Sequence, residues 1–218
     1  MSPTDHQKEK VLQAARWLSE QGYFGGKLGS GGNVSMAAAG RQAVAITPSG
    51  IAYPDMTVED ICTLDMRQKQ LEGSRSPSME AGMHIGIYRQ RPEISAVVHT
   101  HQLFASVLAI LSEPIPALFD EIIAEIGPCV EIIPYAVSGS RQLARNVAGK
   151  LDNGCCCYII QNHGALSLGK DMATALKNTE LLEKVSQAYY YALCSGREIS
   201  RLPEDAVQHW LALRKKTP

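Results

Sequence analysis

Val11, Leu12, Ala15 and Leu18 recur at helical spacing, which predicts an amphipathic helix over 5–21, with Gly22 placed to end it. The longest helical pattern runs over 171–195, where Ala175, Leu176, Leu182, Val185 and Ala188 share one broad face. Further helices are predicted over 78–91, 102–111, 117–125 and 140–151. In the first of these Ser76 reads as the cap and Pro77 as the first helical position. Pro92 marks the end of that helix, and Pro114 and Pro116 interrupt the pattern after residue 111. Short apolar runs predict strands over 42–46, 60–66, 96–101, 130–133, 158–161 and 165–168. Residues 72–76 read as loop, and the segment after 195 as a tail that contains Trp210 and ends in a basic cluster, Arg214-Lys215-Lys216. Helices and strands mix without a strict β-α-β rhythm. The expected fold is α/β, one domain over 1–218, with a central and largely antiparallel sheet flanked by helices.

The run Ala96-Val97-Val98-His99-Thr100-His101 places two histidines two residues apart at the end of a strand. Residues i and i+2 of a strand point to the same face, so both imidazoles project together. A third, His163, follows the apolar run Tyr158-Ile159-Ile160. Three neutral imidazoles can hold Zn²⁺ or a similar ion and leave positions open for a substrate. The competing reading is three separate polar residues in loops. His84 reads as a structural histidine rather than a fourth ligand, and His6 and His209 carry no site argument.

The segment from Gly25 to Ser35 holds too much glycine for a helix. Its exposed amides suit an anion-binding nest, and a plain turn explains it equally well. It is neither a phosphate-binding Gly-Lys-Ser/Thr loop nor a dinucleotide fingerprint. Thr47-Pro48-Ser49-Gly50 is a second tight polar turn.

Of 218 residues, 45% are hydrophobic and 20% charged, enough apolar material for a substantial core. Lys and Arg number 21 against 22 Asp and Glu, so no basic excess suggests a nucleic-acid partner. No apolar run is long enough to span a membrane, and the polar first ten residues lack a signal-peptide core. A cytoplasmic location is the default expectation. The six cysteines read as free, mostly buried thiols in a reducing compartment. Strand alternation would send Cys155 and Cys157 to one face and Cys156 to the other.

Five short motifs, taken in order, resemble the class II aldolase/adducin family, and within it the bacterial fuculose-1-phosphate aldolases. They are Gly31-Gly32-Asn33-Val34-Ser35, Ile46-Thr47-Pro48-Ser49-Gly50, Pro77-Ser78-Met79-Glu80, Val98-His99-Thr100-His101 and Gln161-Asn162-His163-Gly164. The resemblance covers nearly the whole chain and implies the family's three-layer fold. It implies a divalent metal, usually zinc, on His99, His101 and His163, with Mn²⁺ and Co²⁺ as alternatives that the same ligands accept. It implies Glu80 as catalytic acid/base. It also implies a substrate phosphate held by Gly32, Asn33, Ser49, Gly50 and Ser78, and a homotetramer with active sites between subunits.

The implied activity is that of an aldehyde-lyase. A phosphorylated ketose would be cleaved to dihydroxyacetone phosphate and an aldehyde through a metal-stabilised enediolate. Four other outcomes stay open: decarboxylation of a phosphorylated keto-acid, 4-epimerisation of a pentulose 5-phosphate, dehydration of a thio-sugar phosphate, and a non-catalytic adducin-like interaction module. Two departures keep them open. Met79 stands where the family commonly has a second serine, and a thioether offers no donor to an anion. Asp120 stands where the fuculose-phosphate aldolases place a tyrosine donated across the interface. The related epimerases use an aspartate in that region, and Asp120 is accordingly a second candidate acid/base.

Overall fold

A computed structural model describes residues 4–26, 29 and 31–214 of the chain. Lys27, Leu28 and Ser30 of the glycine-rich run, and the basic end of the tail from Lys215 on, lie outside the described residues. The helices are α1 (Asp5–Glu20), α2 (Ala81–Gln90), α3 (Leu103–Leu111), α4 (Asp120–Glu125), α5 (Arg141–Ala148), α6 (Met172–Cys194) and α7 (Glu204–Arg214). The strands are β1 (Asn33–Ala37), β2 (Ala43–Ile46), β3 (Cys62–Asp65), β4 (Gln70–Glu72), β5 (Ala96–Thr100), β6 (Glu131–Ile133), β7 (Cys157–Ile160) and β8 (Gly164–Gly169).

All eight strands form one sheet in the order β4-β3-β2-β1-β5-β8-β7-β6. Every neighbouring pair is antiparallel except β6 with β7. The expected mostly antiparallel sheet is therefore present, with one parallel edge. Pleat alternation distributes the side chains to two layers. Val97 packs with α2 and α5 on one face, whereas Ala96 and Val98 pack with α1 on the other. Along β7, Tyr158 and Ile160 join the first layer, and Cys157 and Ile159 join α3, α4 and α6 on the second face. Each fully buried aliphatic of this kind contributes about 1.5–3 kcal/mol. The result is a three-layer sandwich with helices on both sides of the sheet.

Several boundaries differ from expectation for identifiable reasons. The helix expected from residue 78 starts at Ala81. Residues 76–78 instead lie in extended backbone beside the 47–50 turn: Ser49 N donates to Ser76 O at 2.9 Å and Ser78 N to Thr47 O at 3.1 Å. That pairing outcompetes a helical first turn, so Ser76 and Pro77 are not its cap and first position. β1 was not expected: Asn33-Val34-Ser35-Met36 does alternate polar and apolar, but the run of glycines before it made the segment read as a turn. β4 was not expected and ends at Glu72, where the stretch read as loop begins, and α7 occupies the expected tail. The cysteine alternation fails because β7 begins only at Cys157. Cys155 lies before the strand and packs in the first layer, opposite to Cys157.

Candidate active site

The site forms where β1, β5 and β8 adjoin at the middle of the sheet. Asn33 of β1 pairs across from His99 of β5, and His99 across from Leu166 of β8. His101 follows β5 directly. His163 sits in the three-residue turn between β7 and β8, where Asn162 takes a left-handed φ of 51°. The three histidines thus converge from a strand end and an adjacent hairpin turn. Their ligand nitrogens all lie within 4.8 Å of one another.

Close approach of backbone to these rings explains the glycines that flank them. A Cβ on Gly31 would stand 2.4 Å from Nδ1 of His101, and one on Gly32 would stand 2.4 Å from the carbonyl oxygen of His99. At Gly164 a Cβ would meet Thr100 O at 2.4 Å and the His101 ring at 2.6 Å. Gly31 and Gly32, with Gly164, therefore form a floor under the histidines. Tyr53 fixes the glycine-rich loop: its hydroxyl donates to Gly32 O at 2.7 Å, and its ring stacks on Phe24.

The donor set fits a divalent metal. Nδ1 of the fully buried His99 donates to Ala165 O at 2.9 Å, which leaves Nε2 as the free lone pair. That nitrogen faces Nε2 of His101 at 3.2 Å. Burial, reinforced by the neighbouring imidazoles, lowers His101 to about 4, and burial also lowers His163. Both rings are consequently neutral at physiological pH, the form that binds a metal.

Glu80 completes the cluster from the N-terminus of α2, and only 4% of it is exposed. Its Oε2 accepts from Asn33 Nδ2 at 2.8 Å and lies 3.2 Å from His99 Nε2. Its Oε1 accepts from Ser138 Oγ at 2.9 Å and lies 3.5 Å from His163 Nε2. Burial pushes the carboxyl up, but His99, Asn33, His163 and Ser138 together outweigh it and bring Glu80 down to about 2. Behind Glu80, His84 is fully buried and bonded through Nδ1 to Ser35 Oγ at 2.6 Å; the same hydroxyl meets Tyr88 Oη at 2.7 Å. This second-layer placement agrees with a structural role for His84.

The other expected site residues fall in two groups. Val34 N donates to Thr47 Oγ1 at 3.2 Å, which ties β1 to the 47–50 turn, and that turn is in turn tied to 76–78. Gly32, Asn33, Ser49, Gly50 and Ser78 are thereby gathered on three adjoining segments. Ser78 Oγ accepts from Glu80 N at 3.2 Å, and Ser49 Oγ donates to Pro77 O at 3.1 Å. Asp120 stands apart from this group. It is exposed at the start of α4, on the layer formed with α6 and α7. Sequence reasoning missed Ser138, which lies in the loop between β6 and α5. The dipeptide Ser138-Gly139 signals a turn there but gives no hint that the turn reaches Glu80.

Residues 9–190 match the model of the class II aldolase and adducin N-terminal domain. The chain belongs to the class II aldolase/adducin family. Among its relatives is a 5-deoxy-D-ribulose 1-phosphate aldolase of Bacillus thuringiensis serovar kurstaki, 36% identical over 182 residues, covering 83% of this chain and 84% of the relative. An L-fuculose phosphate aldolase of Methanococcus maripaludis is 34% identical over 182 residues, 83% of this chain and 94% of the relative. Among solved structures, an L-fuculose 1-phosphate aldolase superposes with a TM-score of 0.89 at 32% identity, over 96% of each chain. The family's fold and a histidine cluster capable of holding a metal are thus both present in this protein.

Proposed function

We propose that the protein is a metal-dependent aldehyde-lyase that cleaves a phosphorylated ketose to dihydroxyacetone phosphate and an aldehyde. One observation carries the reading: a buried carboxylate, Glu80, stands against two of three converging imidazoles. A non-catalytic interaction module has no need of either group. The similarity to aldolases of ketose phosphates supports the same class of substrate.

His99, His101 and His163 would hold the ion, which supplies Lewis acidity for the negative charge that develops on a carbonyl oxygen. The retro-aldol step breaks the C3–C4 bond. The C4 hydroxyl loses a proton as its carbon becomes the aldehyde, and C3 gains one. Glu80 is assigned the proton at C3, because it is the buried carboxylate beside the imidazoles. Asp120 is assigned the proton of the C4 hydroxyl, delivered from a neighbouring copy in a homotetramer. Its exposed position in the single chain is compatible with that reach. The gathered Asn33, Ser49, Gly50 and Ser78 are assigned to the substrate phosphate, with Gly32 shaping the loop.

Incubation of zinc-loaded protein with ketose 1-phosphates, pentulose 5-phosphates and phosphorylated keto-acids, followed by NMR of the products, tests the reading. Dihydroxyacetone phosphate and an aldehyde are expected. Carbon dioxide or an epimer instead would replace the aldolase reading with another branch of the family. Glu80→Gln is expected to lower kcat by about 10³ with metal content retained. Unchanged turnover in a metal-replete variant would remove Glu80 from the chemistry.

A further inference from the structure

The loop between β6 and α5 is built against the catalytic carboxylate more closely than a connecting loop requires. It is anchored at its start, where Asn146 Nδ2 donates to Pro134 O at 2.9 Å and Tyr135 N donates to Gln161 Oε1 at 3.3 Å. Its far end is fixed by Ser140 N, which donates to Val137 O at 3.0 Å, and by Ser140 Oγ, which caps α5. Between these anchors Gly139 adopts a φ of +72°, and a Cβ there would stand 3.0 Å from Met79 O and 3.2 Å from Met79 Cβ. The turn is thus pressed onto the residue that precedes Glu80. The same contact brings Ser138 Oγ to 2.9 Å from Glu80 Oε1, with Met79 Sδ at 3.7 Å.

We propose that Ser138 is a positioning residue that fixes the plane of the Glu80 carboxylate from the solvent side of the site. The proposal rests on the assignment of Glu80 as the acid/base. The two carboxylate oxygens take one side-chain donor each, from opposite directions: Asn33 on β1 holds Oε2, and Ser138 holds Oε1. With both oxygens held, the carboxylate cannot turn about its Cγ–Cδ bond without breaking one of the two contacts. The serine also stands beside Met79, at the place in the site where the family's second serine hydroxyl is missing.

The test uses full-length zinc-loaded protein and the variants Ser138→Ala and Ser138→Thr. Loss of one hydrogen bond to the charged group is expected to lower kcat of Ser138→Ala by about tenfold, with KM and zinc content unchanged. Ser138→Thr, which keeps the hydroxyl, is expected to recover most of that loss. A Ser138→Ala enzyme with wild-type kcat, or a threonine variant no better than alanine, would overturn the proposal. Crystal structures of zinc-loaded wild type and Ser138→Ala give a readout independent of turnover. The Glu80 carboxylate is expected in one orientation in the wild type and rotated or split in the variant; an identical orientation in both overturns the proposal. A wild-type enzyme that yields no aldehyde would instead refute the lyase reading, and the crystallographic comparison would still decide the role of Ser138.

Discussion

Glu80 and His84 lie one helical turn apart, yet their environments hold them in opposite charge states. Glu80 is brought down to about 2 and is ionised, whereas burial lowers His84 to about 3, so it stays neutral. For His84 the consequence is a dependence of stability on pH. The unfolded chain takes up the proton near 6.5, and the folded chain only near 3. Between those values the unfolded state binds more protons, so stability falls as pH falls through the window. From pH 7 to pH 5 the loss from this one group is about 2 kcal/mol. Urea titrations of His84→Gln at the two pH values are expected to show a drop smaller by that amount; an unchanged drop would place the sensitivity elsewhere. Legibility differs among the site residues themselves. His99 and His101 were readable because strand geometry alone puts i and i+2 on one face. His163 was readable only as a candidate, since nothing local ties it to the pair. Ser138 was not readable at all. Its bond to Glu80 depends on a turn whose shape is set by Gly139 against Met79, a contact distant in sequence.

At the scale of elements, α5 illustrates both what local sequence determines and what it leaves to packing. Ser140 was readable as its start, and the structure adds that it is the cap, with Oγ accepting from Leu143 N at 3.1 Å. Ser140→Ala is expected to cost about 1 kcal/mol, measured by urea denaturation. A cost near zero would mean that the packing of Leu143 and Val147 alone holds the helix end. α2 shows the opposite case. Its first predicted turn is taken over by backbone pairing of 76–78 with the 47–50 turn, and this displacement is what leaves Glu80 at the helix N-terminus. The long amphipathic helices α1 and α6 were readable from their period. β1 was not, because its short alternation, Asn33-Val34-Ser35-Met36, follows directly on a glycine-rich run that reads as a turn.

For the whole molecule, an apolar surface remains to be explained. Leu103 and Ile110 on α3 are more than 60% exposed, and Leu111 and Phe119 are about half exposed. Helix α3 is almost entirely apolar, while its inward face needs only Ala105, Leu108 and Ala109. An exposed apolar face of this kind suits a contact between chains. In the proposed homotetramer it would be buried. Native mass spectrometry of the wild type is expected to give the tetramer, and Ile110→Glu a smaller species with its histidine ligands intact. A monomeric wild type would refute the assembly and, with it, the delivery of Asp120 from a neighbouring copy. Sheet order and the pairing of β1 with β5 were beyond the sequence, because strand adjacency arises from covering two faces at once and not from any one segment's pattern.

The glycine floor under the histidines restricts how this protein can change. At positions 31, 32 and 164 the space a methyl group would need is already taken by imidazole or by the backbone that carries it. The chain can exchange the exposed Met79 or Asp120 without meeting those rings. It cannot enlarge those three positions without moving the histidines themselves. Side chains at the rim have room to vary, and the floor has none.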